Sequence, residues 1–228
     1  MTNSKRAENA HVILLKATVA ERLCVEIVKG RLGPGEKIVE GSWARTLGVS
    51  QASIREAINI LVKDGLVTKA QGRSARVVSL SADDVRQIYE MRGALEGLAA
   101  RLAAEKRCDT ARVEKELRTM QRSAERNDLA SLLDANLRFH LGLCELSGNA
   151  YLAEQAYKLL TPFFAFVRVR ALASSQNASL WAKDFPAYRR IVELIQEGES
   201  EIVEQYVKKV MVRIAATAYG SWERQPHS

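Results

Sequence analysis

A mainly α chain in two parts is predicted by three observations. Apolar residues recur every three or four positions along most of the sequence, an extended pattern is confined to a short stretch after Gly65, and the positive charge is gathered into the first third. Lys and Arg number 13 against 7 Asp and Glu over residues 1–80, and 21 against 20 over residues 81–228, so six of the seven net positive charges belong to the first part. A field of that sign on one domain suits a polyanionic partner.

The first helix is predicted over residues 11–29, where Leu15, Val19, Leu23 and Ile27 repeat at four-residue spacing and make one apolar stripe. Gly33, Pro34 and Gly35 stop it in a tight turn, and a short helix follows from about Glu40 to Leu47. Gly48 breaks the chain again. Ser50 is placed to cap the next helix by accepting from a free backbone N–H, and Ile54, Ile58 and Leu61 give that helix a buried face up to Gly65. Leu66, Val67 and Thr68 read as a strand, residues 71–74 as a turn, and residues 76–78 as the partner strand. Two short helices joined by a tight turn and followed by a hairpin, on a basic domain spanning residues 1–80, form the order of a winged helix-turn-helix.

From Ser81 onward the pattern is helical throughout, opened by a cap at Ser81 with Asp83 and Asp84 in the first turn, where acids suit the helix dipole. Breaks near residues 108–109, 127–128, 148–149, 174–179 and at Gly198 give an antiparallel bundle of about six helices over residues 81–228. The linker is short, near residues 78–82. Cys24, Cys108 and Cys144 are odd in number and widely spaced, which argues for core thiols rather than disulfides or a zinc cluster. The polar start and the short first apolar run, residues 12–15, suggest neither a signal peptide nor a membrane span, so a cytoplasmic location is expected.

In the helix beginning at Ser50, N-terminal side chains would lie nearest base edges of a major groove. Ser50, Gln51 and Ser53 stand there. Gln51 suits an adenine edge, Ser53 a base or phosphate, and Arg55 a guanine or phosphate through two parallel N–H donors. Arg45, closing the preceding helix, is placed for the DNA backbone, and Gly72 and Arg73 form the wing tip. Arg55 paired with Glu56 or Asp64 is the plainer alternative.

The segments RLGPGEKIVE (31–40), LGVSQASIREAINIL (47–61) and DGLV (64–67) resemble the signature of the GntR family of bacterial regulators, and the resemblance supports a DNA-contact role most firmly at Arg55. It implies a DNA-binding transcriptional regulator, a homodimer on a two-fold operator. Family members carry Arg-Thr-Pro where this chain has Gln51, Ala52 and Ser53, and Leu where it has Trp43, so a different operator sequence is expected.

In the bundle, four polar residues fall on inward stripes: Arg92, Asn136, His140 and Tyr188. An inward Arg is costly unless paired, so a cavity holding these four suits an anionic ligand such as a carboxylate. The alternative is that Arg92 pairs with Glu96 one turn on, or with another buried acid, and that His140 is a satisfied core histidine. The segments YEMRGALEGLAARLAA (89–104), ANLRFHLGLCELSGNAYL (135–152) and IVELIQEG (191–198) resemble the ligand-binding FCD domain of the FadR subfamily, in its shorter VanR-like branch. Many members hold a divalent metal on one Asp and three His, which helps to fix a carboxylate effector; related pockets take sugar acids, hydroxy acids, amino-acid derivatives or fatty acyl compounds. Here the matching positions are Asn136, His140, Tyr188 and about Val210, so only His140 is a strong ligand and neither metal nor other cofactor is expected. With three histidines, no GxSxG and no phosphate-binding loop, the chain lacks the parts of an enzyme. A helical dimerisation domain that senses nothing, its polar residues forming a closed network, remains the competing reading.

Overall fold

The computed structural model describes residues 18–70, 73–174 and 176–222. They form two compact units: the chain up to Ser79 together with Ala165–Ala173, and Leu80–Phe164 together with the residues from Ser174 on.

The first unit opens with α1, described over residues 18–28, which buries Val19, Leu23 and Ile27 as its stripe requires; His11 and Leu15 lie outside the described residues. After the turn come α2 (Glu40–Leu47) and α3 (Gln51–Lys63). Gly48 joins them at φ 65°, a left-handed conformation that lets its N–H reach back to the end of α2. Ser50 caps α3, its hydroxyl accepting from Ser53 N–H at 3.0 Å, and α3 buries Ile54, Ala57, Ile58 and Leu61.

The hairpin is β1 (Val67–Thr68) against β2 (Arg76–Val77), antiparallel, with Val67 opposite Val77 and Thr68 opposite Arg76. It has a third member that the hydrophobic pattern did not announce. Lys37 bridges Arg76, Ile38 N–H donates to Ala75 C=O at 2.8 Å, and Val77 N–H donates to Glu36 C=O at 3.0 Å. The turn at Gly33–Gly35 returns the chain alongside β2, and only Ile38 of this short segment is buried, too little alternation to read as a strand. Leu23, Ile27, Leu32, Ile38, Ile54, Ile58, Leu61 and Val77 form one core, completed by Ala165 and Val169 from far along the chain.

The second unit carries α4 (Ala82–Glu105), α5 (Ala111–Glu125), α6 (Leu129–Leu146), α7 (Ala150–Ala173), a 3-10 helix (Ala178–Asp184), α8 (Phe185–Glu197) and α9 (Ser200–Trp222), with the end of α7 grouped in the first unit. Six α-helices meet the sequence expectation, and their breaks fall at the expected places; the 3-10 turn was not foreseen. Ser81 and Asp84 form a reciprocal capping box at the start of α4. α4 packs most extensively on α9. Gly97 allows this, since a Cβ there would sit 3.2 Å from Glu204 C=O, whereas one on Gly93 would sit at an ordinary 3.7 Å from Lys208 Cα. Of the three cysteines only Cys144 is buried; Cys24 and Cys108 are half-buried, and all three are free thiols. Among the described residues, no helix is long and apolar enough to cross a membrane.

Candidate nucleic-acid interface and buried polar site

Burial of Ile54, Ala57, Ile58 and Leu61 turns the opposite face of α3 outward, and Gln51, Ala52, Arg55, Glu56 and Asn59 are exposed on it. Asn59 was missed by the sequence reading, although it continues the four-residue spacing Gln51, Arg55, Asn59. Ser50 and Ser53 are tied to each other, hydroxyl to hydroxyl at 2.9 Å besides the capping bond, so Ser50 serves first as a cap. Gln51 and Arg45 converge over Gly41. A Cβ there would stand 3.1 Å from Gln51 Nε2 and 3.9 Å from Arg45 Nη1, so the glycine leaves room for the glutamine amide.

Arg55 pairs with neither Glu56 nor Asp64. Its Nη2 donates to Glu40 Oε2 at 2.8 Å and its Nε to the same oxygen at 3.2 Å, across the angle between α3 and α2. Glu40 lies fifteen residues back, at the first turn of another helix, so helical spacing gave no sign of it. More than half of the Arg55 side chain, 56%, stays exposed. Local desolvation pushes the Asp64 carboxyl up against the opposing pull of Arg168. On the wing side, Gly72 lies outside the described residues, while Lys69 and Arg73 are exposed and Arg76 donates to Gly35 C=O at 2.9 Å.

In the second unit Arg92, Asn136, His140 and Tyr188 are all buried, at 2%, 4%, 1% and 5% exposure, as their stripes demand. Arg92 and His140 meet around a residue not counted among the four. Arg92 Nε donates to Glu96 Oε1 at 2.7 Å, His140 Nδ1 lies 2.6 Å from Glu96 Oε2, and Arg92 Nη2 lies 3.2 Å from His140 Nε2. Arg is a donor only, so Nε2 of His140 must accept and Nδ1 must carry the proton to Glu96: the imidazole is neutral. Burial lowers the His140 pKa, in agreement. Burial alone would raise the Glu96 carboxyl, but Arg92 and then His140 overcome it and hold it at about 2.

Aromatic rings close around this triad. The Arg92 guanidinium lies 5.0 Å from the Tyr89 and Phe164 ring centres and 5.4 Å from Phe163. His140 stacks on Phe164 and meets Tyr188 edge-on, with centroids 5.4 and 5.2 Å apart. Asn136 stands one turn before His140 on α6, and its Oδ1 is buried without a hydrogen-bond partner among the described residues. The positions that in related proteins hold a metal do not fit one here. Asn136 and Tyr188 are neutral, Val210 has no donor atom, and both ring nitrogens of His140 are already engaged.

A basic winged helix-turn-helix unit with an outward polar helix, and a helical unit around a buried charged cluster, define a two-domain transcriptional regulator. The sequence matches the bacterial regulatory proteins of the gntR family over residues 15–77 and the FCD domain over residues 87–213. The chain belongs to that family, in its FadR-like subfamily. It is 30% identical over 189 residues to the HTH-type transcriptional regulator YdhC of Bacillus subtilis (strain 168), covering 79% of this chain and 80% of YdhC. It is also 30% identical, over 91% of this chain and 92% of the relative, to the "Probable D-xylose utilization operon transcriptional repressor" of Paenarthrobacter nicotinovorans. Among solved structures it is similar to Lar of Listeria monocytogenes, with TM-score 0.68 and 25% identity, over 90% of this chain and 96% of Lar. McbR/YncC of E. coli shares the fold, with TM-score 0.66 and 21% identity, over 91% of this chain and 98% of that one.

Proposed function

We propose that the chain is a homodimeric repressor whose grip on a two-fold operator is relieved by a small carboxylate-bearing effector. Gln51, Arg55 and Asn59 read bases from the exposed face of α3, Arg45 holds the DNA backbone, and the wing with Gly72 and Arg73 enters the neighbouring minor groove. The Paenarthrobacter relative is itself named a repressor, which supports that sense. A two-fold operator doubles the few base pairs that one winged domain reads.

The observation that carries the sensing half of this reading is the unpartnered Asn136 Oδ1, buried one turn from His140 inside a cluster of charged and aromatic groups. A buried acceptor left unsatisfied costs about 1–3 kcal/mol, and a ligand donor beside it restores that loss. An effector hydroxyl or amide N–H meets Asn136, while its carboxylate exchanges with Glu96 for Arg92. Effector binding then shifts the dimer between operator-competent and operator-incompetent states by the coupling free energy.

The full pairing of Arg92 favours a second reading, in which the network is structural and operator binding answers to nothing. A thermal-shift panel of carboxylates, sugar acids, amino acids and acyl compounds, repeated with chelator, separates the two. The sensing reading expects stabilisation by one chemical class, insensitive to chelator and lost in Asn136→Leu, which leaves the Arg92 triad intact. No response from any class supports the structural reading. For the DNA half, Arg55→Ala should lose specific binding to an operator selected from random duplexes while keeping its helical content; unchanged affinity overturns the assignment of α3.

A further inference from the structure

α5 and α8 lie side by side in the second unit and leave between them an open groove of about 300 Å³, at the lower end of the range of small-molecule sites. Its floor is apolar, formed by Leu117 of α5 and Val192 of α8. Arg118 and Gln121 stand on the α5 wall and Arg189 on the α8 wall. Two acids also line it, and both are already served. Glu114 accepts from the Thr110 hydroxyl and from Gln196 Nε2, each at 2.7 Å, and from Arg118 Nη1 at 3.3 Å. Glu193 accepts from Arg190 at 3.2 Å. Among the described residues, Arg189 and Gln121 have no hydrogen-bond partner, and the Arg118 guanidinium has only its long contact to Glu114. A single exposed arginine is ordinarily left to water. Two on opposite walls, with an amide beside them and an apolar floor below, are the few convergent polar groups of a ligand site.

We propose that this groove is a second ligand site, separate from the buried Arg92 cluster and independent of the effector assigned there, and that it takes a small organic carboxylate. The carboxylate spans Arg118 and Arg189, each guanidinium offering parallel N–H donors, and Gln121 donates its amide to a remaining lone pair. The apolar body of the ligand rests on Leu117 and Val192. Charge selects a single carboxylate over a phosphate. With Glu114 and Glu193 on the same walls, a doubly charged head meets a repulsion that a singly charged one largely escapes. The groove is open to water, so it fills without any parting of helices.

Methyl NMR of the full chain tests this with benzoate as the probe, and with inorganic phosphate and benzyl alcohol as its anionic and apolar halves. Benzoate should shift the Leu117 and Val192 methyl signals along a saturating curve and show nuclear Overhauser contacts from its ring protons to both. Arg118→Gln and Arg189→Gln should each weaken that binding by about tenfold, the loss expected for one charged hydrogen-bonding group. Both side chains are exposed, so neither substitution threatens the fold. Phosphate and benzyl alcohol should each bind at least about tenfold more weakly than benzoate. Benzoate without those Overhauser contacts overturns the site, and undiminished binding in both arginine variants overturns the anion reading. Phosphate as tight as benzoate overturns the organic class, and benzyl alcohol as tight as benzoate overturns the need for a charge.

Discussion

Arg92 and Glu96 lie one helical turn apart on α4, ion-paired at 2.7 Å with 2% and 0% of their side chains exposed. His140, from α6, spans the pair by accepting from one and donating to the other. Three groups are thus satisfied together, and each depends on the other two.

Breaking the pair should cost more than deleting it. Glu96→Gln leaves Arg92 as an uncompensated buried cation and should destabilise the chain by about 3–5 kcal/mol, whereas the double change Arg92→Met with Glu96→Leu should cost markedly less. Urea unfolding of both variants decides it. Equal losses would mean that the aromatic cage, not the pairing, carries the energy.

Stability should fall in two stages on acidification. His140 is buried neutral with a lowered pKa, so the unfolded chain takes up its proton first, and stability drops as pH falls below about 6.5 toward the folded value. Glu96 is held at about 2 against an ordinary 4.5, so its contribution is full above 4.5 and is lost between those values. Melting temperature followed from pH 8 to pH 3 should show both losses, and His140→Phe should remove the upper one. An unchanged upper stage in that variant would assign it to another group.

Much of this architecture was legible because it is local. Ser50 and Ser81 stand at helix starts with the backbone N–H groups that they accept from three residues ahead, and Ile54, Ile58 and Leu61 mark a buried face by spacing alone. What escaped was non-local. Glu36 and Ile38 join the hairpin by backbone bonds that no side-chain pattern encodes. Glu40 reaches Arg55 across fifteen residues, and Glu96 reaches His140 across forty-four. Arg92 is legible because it breaks an apolar stripe with Glu96 one turn on, and Asn59 continues the spacing of Gln51 and Arg55 without any chemistry of its own to mark it. The inward stripes of Arg92, His140 and Tyr188 placed each of them inside the bundle, but which atoms meet across the three helices is not written in any one stripe.

Gly97 and Gly93 should respond differently to the same substitution. Gly97→Ala drives a methyl to 3.2 Å from Glu204 C=O on a packed helix and should cost about 1–3 kcal/mol. At Gly93 the nearest atom is 3.7 Å away, ordinary contact, and alanine's higher helix propensity should make that variant neutral or slightly stabilised. Thermal denaturation of the two single variants checks the order, and a reversed order would place α9 differently on α4.

Glu40 and Arg55 should prove to be competitors rather than partners once DNA is present. Glu40→Gln frees the guanidinium for a base edge and should tighten operator binding, while Arg55→Ala should weaken it by about 1–3 kcal/mol and relax specificity at one position, with little change in salt slope. Fluorescence anisotropy at several salt concentrations measures both. Weakened binding in Glu40→Gln would show that Glu40 orients Arg55 for the groove.

The sealed cluster around Arg92 has a consequence for speed. Two of its nitrogens are held by Glu96 and His140, three rings shield it, and no part of the triad is more than 2% exposed. On the sensing reading proposed above, an acid would reach it only while the surrounding helices part, and its arrival would be timed by the protein's own breathing. In stopped-flow mixing the observed rate should level off as effector concentration rises, at a plateau common to every acid that fits. A regulator built this way would ignore brief pulses of metabolite and answer only to levels that persist.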